Sequence, residues 1–164
     1  MPRLPLRALA ALYNRLPVKL QRLALTATHQ RFLVGVVGIG VDEAGRILLA
    51  RHRFGASAWR FLGGLMARGE SGPKALSREI REETGLIVEV GPLLSFSSTE
   101  GWAHLEALYP YRIRGPIPTA LGGELAALGV FSLEALPPMR GDHRELVELH
   151  AAVAVAWALG ASAR

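Results

Sequence analysis

Between Pro73 and Thr84 the chain carries three glutamates, Glu79, Glu82 and Glu83, at positions i, i+3 and i+4. If this stretch is helical, a rotation of about 100° per residue places all three within a roughly 100° arc of one face. Like charges at that spacing repel by roughly a few tenths of a kcal/mol per pair, so a helix selected only for stability would alternate signs instead. A hard divalent cation such as Mg²⁺ or Mn²⁺ removes the conflict, because it takes carboxylate oxygens and keeps open positions for phosphate and water. The plainer alternative is a solvated acidic face, and the three glutamates alone do not decide between the two. Leu76 and Ile80, also i and i+4, supply an apolar strip that can hold the helix on a sheet. Arg78 precedes Glu79 and lies four residues before Glu82, where it can orient a carboxylate.

The surrounding residues extend the pattern. Gly64 is followed after five residues by Glu70, then after seven by Arg78-Glu79-Ile80, then Glu82-Glu83 and Gly85-Leu86. This resembles the complete box of the Nudix hydrolase family, G-x5-E-x7-R-E-U-x-E-E-x-G-U with U aliphatic. A chance match at a given start has a probability on the order of 10⁻⁸, which makes coincidence the weaker reading. Trp59-Arg60-Phe61-Leu62-Gly63-Gly64 resembles the strand and Gly-Gly turn that lead into the box, with Leu62 where the family often has proline. Leu128–Pro138 is similar to the segment that closes many members. The likeness runs over roughly residues 32–138.

The resemblance implies an α/β (α+β) fold, a mixed β-sheet flanked by helices, with the box forming loop–helix–loop. It implies that Glu79, Glu82 and Glu83 bind Mg²⁺ or Mn²⁺, with the backbone carbonyl near Gly63 as a further ligand. Arg78 would position a glutamate and Glu70 would brace the loop. The general base would be Glu79 or Glu83, with Glu124 and Glu100 as candidates outside the box. The implied reaction is metal-dependent hydrolysis of a phosphoanhydride bond in a small nucleoside diphosphate-linked substrate. The alternative is a catalytically silent binding or regulatory module on the same fold, although such modules often lose box residues and this box is intact. The subgroup markers about 15 residues past the box are absent, since Gly101 and Trp102 stand there. The substrate within the class stays open.

Patterning places the remaining elements. Phe32–Val41 and Ile47–Arg51 read as a strand hairpin turning at Asp42–Gly45. A Gly-rich loop is expected over Leu62–Gly72, then the acidic helix from a cap at Ser71 to Gly85. Leu86–Val90, Leu93–Ser97, Ala103–Ile113 and Leu128–Ser132 read as strands, Leu133–Leu136 as a turn, and Asp142–Leu159 as a final helix capped by Asp142. Arg51, His52 and Arg53, at the end of the second strand, are candidates to hold phosphate oxygens. Trp102, Tyr109 and Tyr111 are candidates to stack a base, although alternation makes some of them core. His104 reads as structural.

Charge separates an N-terminal arm from the rest. Residues 1–31 hold six of the nineteen Lys and Arg and no acid, leaving thirteen basic against fourteen acidic residues beyond. A stretch 1–30 with leucines at helical spacing, broken at Pro17, is therefore expected to be a basic helical arm on a domain of residues 31–164. A near-neutral body argues against stable nucleic-acid binding. The arm is expected to pack with its basic face in water; contact with a membrane surface or an anionic partner is the sharper alternative. The chain has no cysteine, which excludes disulfides, thiolate metal sites and a cysteine nucleophile, and cytoplasm is the default compartment. No apolar run reaches a membrane span. The oligomeric state is open, with a homodimer among the options.

Overall fold

A computed structural model describes residues 6–28, 31–55, 58–98, 101, 103–118 and 123–160. The chain forms two compact units, Met1–Phe32 and Leu33–Arg164. The first holds helices α1 (Leu6–Arg15) and α2 (Val18–Thr28). The helices part at Leu16-Pro17, where proline cannot continue the hydrogen-bond ladder. The Pro17 carbonyl accepts the N–H groups of Leu20 and Gln21 and opens α2. Among the described residues, no helix is long and apolar enough to cross a membrane.

The second unit is a seven-stranded mixed sheet with a helix on each face. Its strands are β1 (Leu33–Val41), β2 (Ile47–His52), β3 (Leu62–Leu65), β4 (Val88–Val90), β5 (Ser95–Ser98), β6 (His104–Ile113) and β7 (Leu125–Phe131). The path runs β4-β6-β1-β2-β7, with β3 on β1 and β5 on β6. Parallel pairing joins β1 to β6 from Leu33↔His104 to Val41↔Arg112. On its other edge β1 changes partner: Gly40 and Val41 pair with β2, whereas Gly35–Gly38 pair with β3.

Strand alternation sorts the core. Val36, Leu48, Ala50 and Leu62 pack with Ala75, Leu76 and Ile80 of helix α3 (Gly72–Thr84). Ile39, Val41, Ile47, Leu49 and Leu108 pack with Val147, Ala151 and Ala154 of helix α4 (Gly141–Ala158). Arg112 ties the end of α4 to the sheet. Its Nη2 donates to the Trp157 carbonyl at 2.6 Å, its Nε to that of Ala158 at 2.8 Å, and its guanidinium lies 4.4 Å from the Trp157 ring centroid. Those carbonyls have no partner within the helix, and the cation faces the negative end of its dipole.

Several expectations are corrected. Leu62–Leu65, expected as loop, is strand β3, because β1 offers an open edge that this glycine-containing segment can approach closely. The strand expected at Leu128 begins at Leu125, extended by pairing with β2. Ser71 precedes α3 in an extended conformation but makes no side-chain cap hydrogen bond. Asp142 is not the cap of α4; Arg140 holds that position, and Asp142 Oδ1 accepts the N–H of His143 at 3.0 Å in the first turn.

Tyr111 is fully buried, with its ring lying across Gly38 and Gly40 of β1. A Cβ at Gly40 would collide with Cζ and the hydroxyl of that ring. Gly40→Ala is therefore expected to destabilise the fold by about 1–3 kcal/mol through overpacking. Chemical denaturation checks this, and an unchanged midpoint would refute the packing described here.

Candidate active site

Helix α3 carries the acidic residues, and its ends are fixed locally. Pro73 lies in its first turn, and Gly85 follows in the left-handed region at φ 77°, donating its N–H to the Arg81 carbonyl at 2.8 Å. Thr84 Oγ1 donates to the Ile80 carbonyl at 2.6 Å and accepts the Leu86 N–H at 3.1 Å. Leu76 and Ile80 are fully buried against the sheet, which turns Glu79, Glu82 and Glu83 toward the cleft side.

Arg78 uses all five guanidinium N–H groups. Nε and Nη2 donate to the two Glu70 oxygens at 3.1 and 3.0 Å, and Nη2 also to the Leu65 carbonyl at 3.0 Å. Nη1 donates to Glu79 Oε1 at 2.8 Å and to Glu82 Oε2 at 3.3 Å. Glu70 Oε2 also accepts the Ala67 N–H at 3.0 Å, closing the loop between β3 and α3. The hydrogen bonds from Arg78, then from Ala67, hold the Glu70 carboxyl below its ordinary value. Glu79 lies against Gly64, where any Cβ would run into its carboxylate. Close approach therefore requires glycine at this position.

Glu79, Glu82, Glu83 and Glu124 together line a cleft of about 300 Å³. A neighbouring cleft of about 510 Å³ shares Glu79, Glu83 and Glu124 and adds Gly63, His52 and Arg60. Glu83 is the most burdened carboxylate. Its Oε2 is buried with no hydrogen-bond partner. Burial first, then the charges of Glu79, Glu124 and Glu82, push its carboxyl up to about 7 against the opposing pull of Arg60. An orphaned, acceptor-only oxygen among like charges, beside two more carboxylates, is the donor chemistry a hard divalent cation takes. Among the described residues, no three acidic or imidazole groups converge into a coordination sphere as they stand. Two of the three helix carboxylates are instead hydrogen-bonded to Arg78.

The other sequence candidates divide. Glu124, from the loop before β7, reaches the site. Arg51 and Arg53 line neither cleft. Arg51 lies over the Trp59 ring at 5.6 Å from its centroid, and Arg53 Nε donates to the Leu125 carbonyl at 3.0 Å. The reason is alternation: His52 takes the cleft side of the strand end, and a register shift between Arg51 and His52 separates them. Trp102 and Glu100 lie outside the described residues. Tyr111 is core, and the hydroxyl of half-buried Tyr109 packs against Gly72. His104, read as structural, lines the larger cleft.

Arg60, Glu106, Arg140 and His143 line that cleft too, and sequence reasoning did not single them out. Only Arg60 left a signal, as a charge inside the apolar run before Gly63-Gly64. The others come from β6 and the start of α4, far away in the chain.

Residues 31–150 match the NUDIX domain family. An RNA pyrophosphohydrolase of Teredinibacter turnerae is 43% identical over 61 residues, which is 37% of this chain and 34% of that protein. The chain spans about a third of the length of the curated relatives it matches first. A NUDIX hydrolase structure from Nitrosomonas europaea superposes with a TM-score of 0.66 at 18% identity, over 76% of this chain and 72% of that one. A UDP-X diphosphatase structure gives 0.64 at 22% identity, over 96% and 79%. At those identities the two structures show the fold alone.

His143 gives the site's scaffold a pH dependence. Its Nδ1 accepts the Phe61 N–H at 2.9 Å, and the two rings stack 5.2 Å apart. Burial first, then the positive charges of Arg140 and Arg60, lower its pKa from 6.5 to about 4, with Asp142 opposing. The unfolded chain protonates this imidazole at a pH where the folded one does not. Its contribution is therefore full above about pH 6.5 and lost as the pH falls toward about 4, on the order of 3 kcal/mol in total. An NMR titration of the imidazole with denaturation across that window checks this; protonation at the ordinary histidine value would refute it.

Proposed function

This chain belongs to the NUDIX domain family, and on that premise we propose that it hydrolyses a phosphoanhydride bond in a small nucleoside diphosphate-linked substrate, with Mg²⁺ or Mn²⁺ as cofactor. The observation that carries the reading is the cleft in which Glu79, Glu82 and Glu83 of one helix face meet Glu124 from a distant loop. A relative named as an RNA pyrophosphohydrolase supports the bond class.

Glu79, Glu82 and Glu83, with the Gly63 carbonyl, would hold the ion. When bound, it supplies charge neutralisation for the diphosphate and acidifies bound water. The chain's own groups do the rest. Arg78 keeps Glu79 and Glu82 oriented through one nitrogen, so their oxygens need little reorganisation. Glu83 is our choice to receive the proton of the attacking water, because it lines both clefts beside Glu79 and Glu124. Glu79 and Glu124, which line the same cleft, are the other candidates for that proton. Arg60 replaces Arg51 and Arg53 as the guanidinium for phosphate oxygens, since it lines the cleft beside Glu83 and Glu124.

A panel of nucleoside diphosphate derivatives with Mg²⁺ or Mn²⁺ tests the reading. Glu82→Gln and Glu83→Gln are each expected to lower kcat about 100-fold or more. The Glu82 side chain is 61% exposed, so its loss should leave the fold intact. Variants as active as the parent would overturn the assignment. Nucleotide binding without turnover of any diphosphate would make the chain a binding module instead.

A further inference from the structure

Glu106 is a half-buried carboxylate that the proposed reaction does not use. It lies in β6 two residues after His104 and two before Leu108, so alternation puts it on the α4 side of the sheet. The reacting carboxylates lie on α3, on the opposite side. Both sets line the larger cleft, which therefore reaches both sides of the sheet beside the β3-paired stretch Gly35–Val37 of β1. No described residue gives the Glu106 carboxylate a hydrogen bond, although the charges of His104, Arg140 and Asp142 act on it. A half-buried carboxylate facing a cleft presents acceptor oxygens to what enters it, and a ligand that displaces its water must replace those hydrogen bonds.

Charged groups of both signs wall the cleft. Arg60 lies in the field of Glu83 and Glu124 on one hand and of Arg140 on the other. Arg140 in turn lies in the field of Glu106. The box carboxylates line the cleft on the α3 side and Glu106 on the α4 side, with Arg60 and Arg140 also on its wall. A diphosphate held near Glu83 and Arg60 leaves Glu106 on the wall of the same cleft for its attached group. Arg140 is already engaged, because its Nε donates to Asp142 Oδ1 at 2.6 Å and its Nη2 to Oδ2. With Arg140 paired to Asp142, Glu106 is left as the acceptor at this end of the cleft. It would repel a further phosphate and accept neutral donors.

We propose that Glu106 is a specificity-determining residue that accepts a pair of adjacent neutral N–H or O–H donors on the moiety attached to the diphosphate, either an amino-purine edge or a sugar vicinal diol. Two neighbouring donors match the two oxygens of one carboxylate, in a charge-assisted bidentate pair. The inference rests on the proposed orientation of the diphosphate, and the experiment separates the two.

Calorimetry with Mg²⁺ would measure binding of GDP, IDP and 2′,3′-dideoxy-GDP to the full chain and to Glu106→Gln, which keeps the volume but removes one acceptor. Turnover of any diphosphate that is cleaved would be followed alongside. The variant should keep the parent's thermal midpoint, weaken binding about tenfold and raise KM in step, with kcat within about twofold. A loss confined to nucleotides with the 2-amino group assigns the purine edge. An equal loss for GDP and IDP that vanishes for the dideoxy compound assigns the diol. Binding and KM unchanged in Glu106→Gln, or a parent that binds none of the three, overturns the inference. A parent that binds through Glu106 but hydrolyses no diphosphate leaves this inference standing and removes the proposed reaction. A parent that hydrolyses them with Glu106→Gln unaffected does the reverse.

Discussion

The guanidinium of Arg78 is the joint on which this site turns. It joins the loop carboxylate of Glu70, the strand carbonyl of Leu65 and two carboxylates of its own helix. Three structural segments are thereby held in one geometry by a single planar group whose donors point in fixed directions. Lysine could match the charge but not the fork. The same contacts offset the repulsion that three glutamates on one helix face create. The partnerless oxygen falls to Glu83, the carboxylate Arg78 does not reach.

Around that joint the sheet supplies the cleft. One strand, β1, pairs with β6 along its whole length but divides its other edge between β2 and β3. Glycines make the division workable. Gly63 approaches the Val36 backbone too closely for a side chain, Gly64 gives room to Glu79, and Gly38 and Gly40 lie under the Tyr111 ring. The cleft at this fork is walled by acids from α3 and by a mixed set from β6 and the start of α4.

Local features were legible in the row of residues because their causes are local. The helical arc of Glu79, Glu82 and Glu83, the buried pair Leu76 and Ile80, the stop at Gly85 and the break at Pro17 all follow from short-range geometry. The strand β3 did not, because four residues containing two glycines have weak strand preference and form a strand only when a neighbouring edge accepts them. Two of the three phosphate-binding candidates fall outside the cleft for a similar reason. Three consecutive basic residues, Arg51, His52 and Arg53, look equivalent in sequence, but pairing with β7 directs only His52 into the cleft.

By itself the sequence determined the spacing of the acidic residues, the arginine that orders them and the family to which they belong, since each is written into one stretch from Gly64 to Leu86. Only the tertiary structure decided which distant groups face that stretch. Glu124 comes from the loop before β7, Arg60 from the segment before β3, Glu106 from β6, and Arg140 and His143 from the start of α4, and no periodicity connects them. The physical reason is that a helix face is set by rotation per residue, a local quantity. The opposite wall of a cleft is set by strand order and register, which arise from packing across the whole domain.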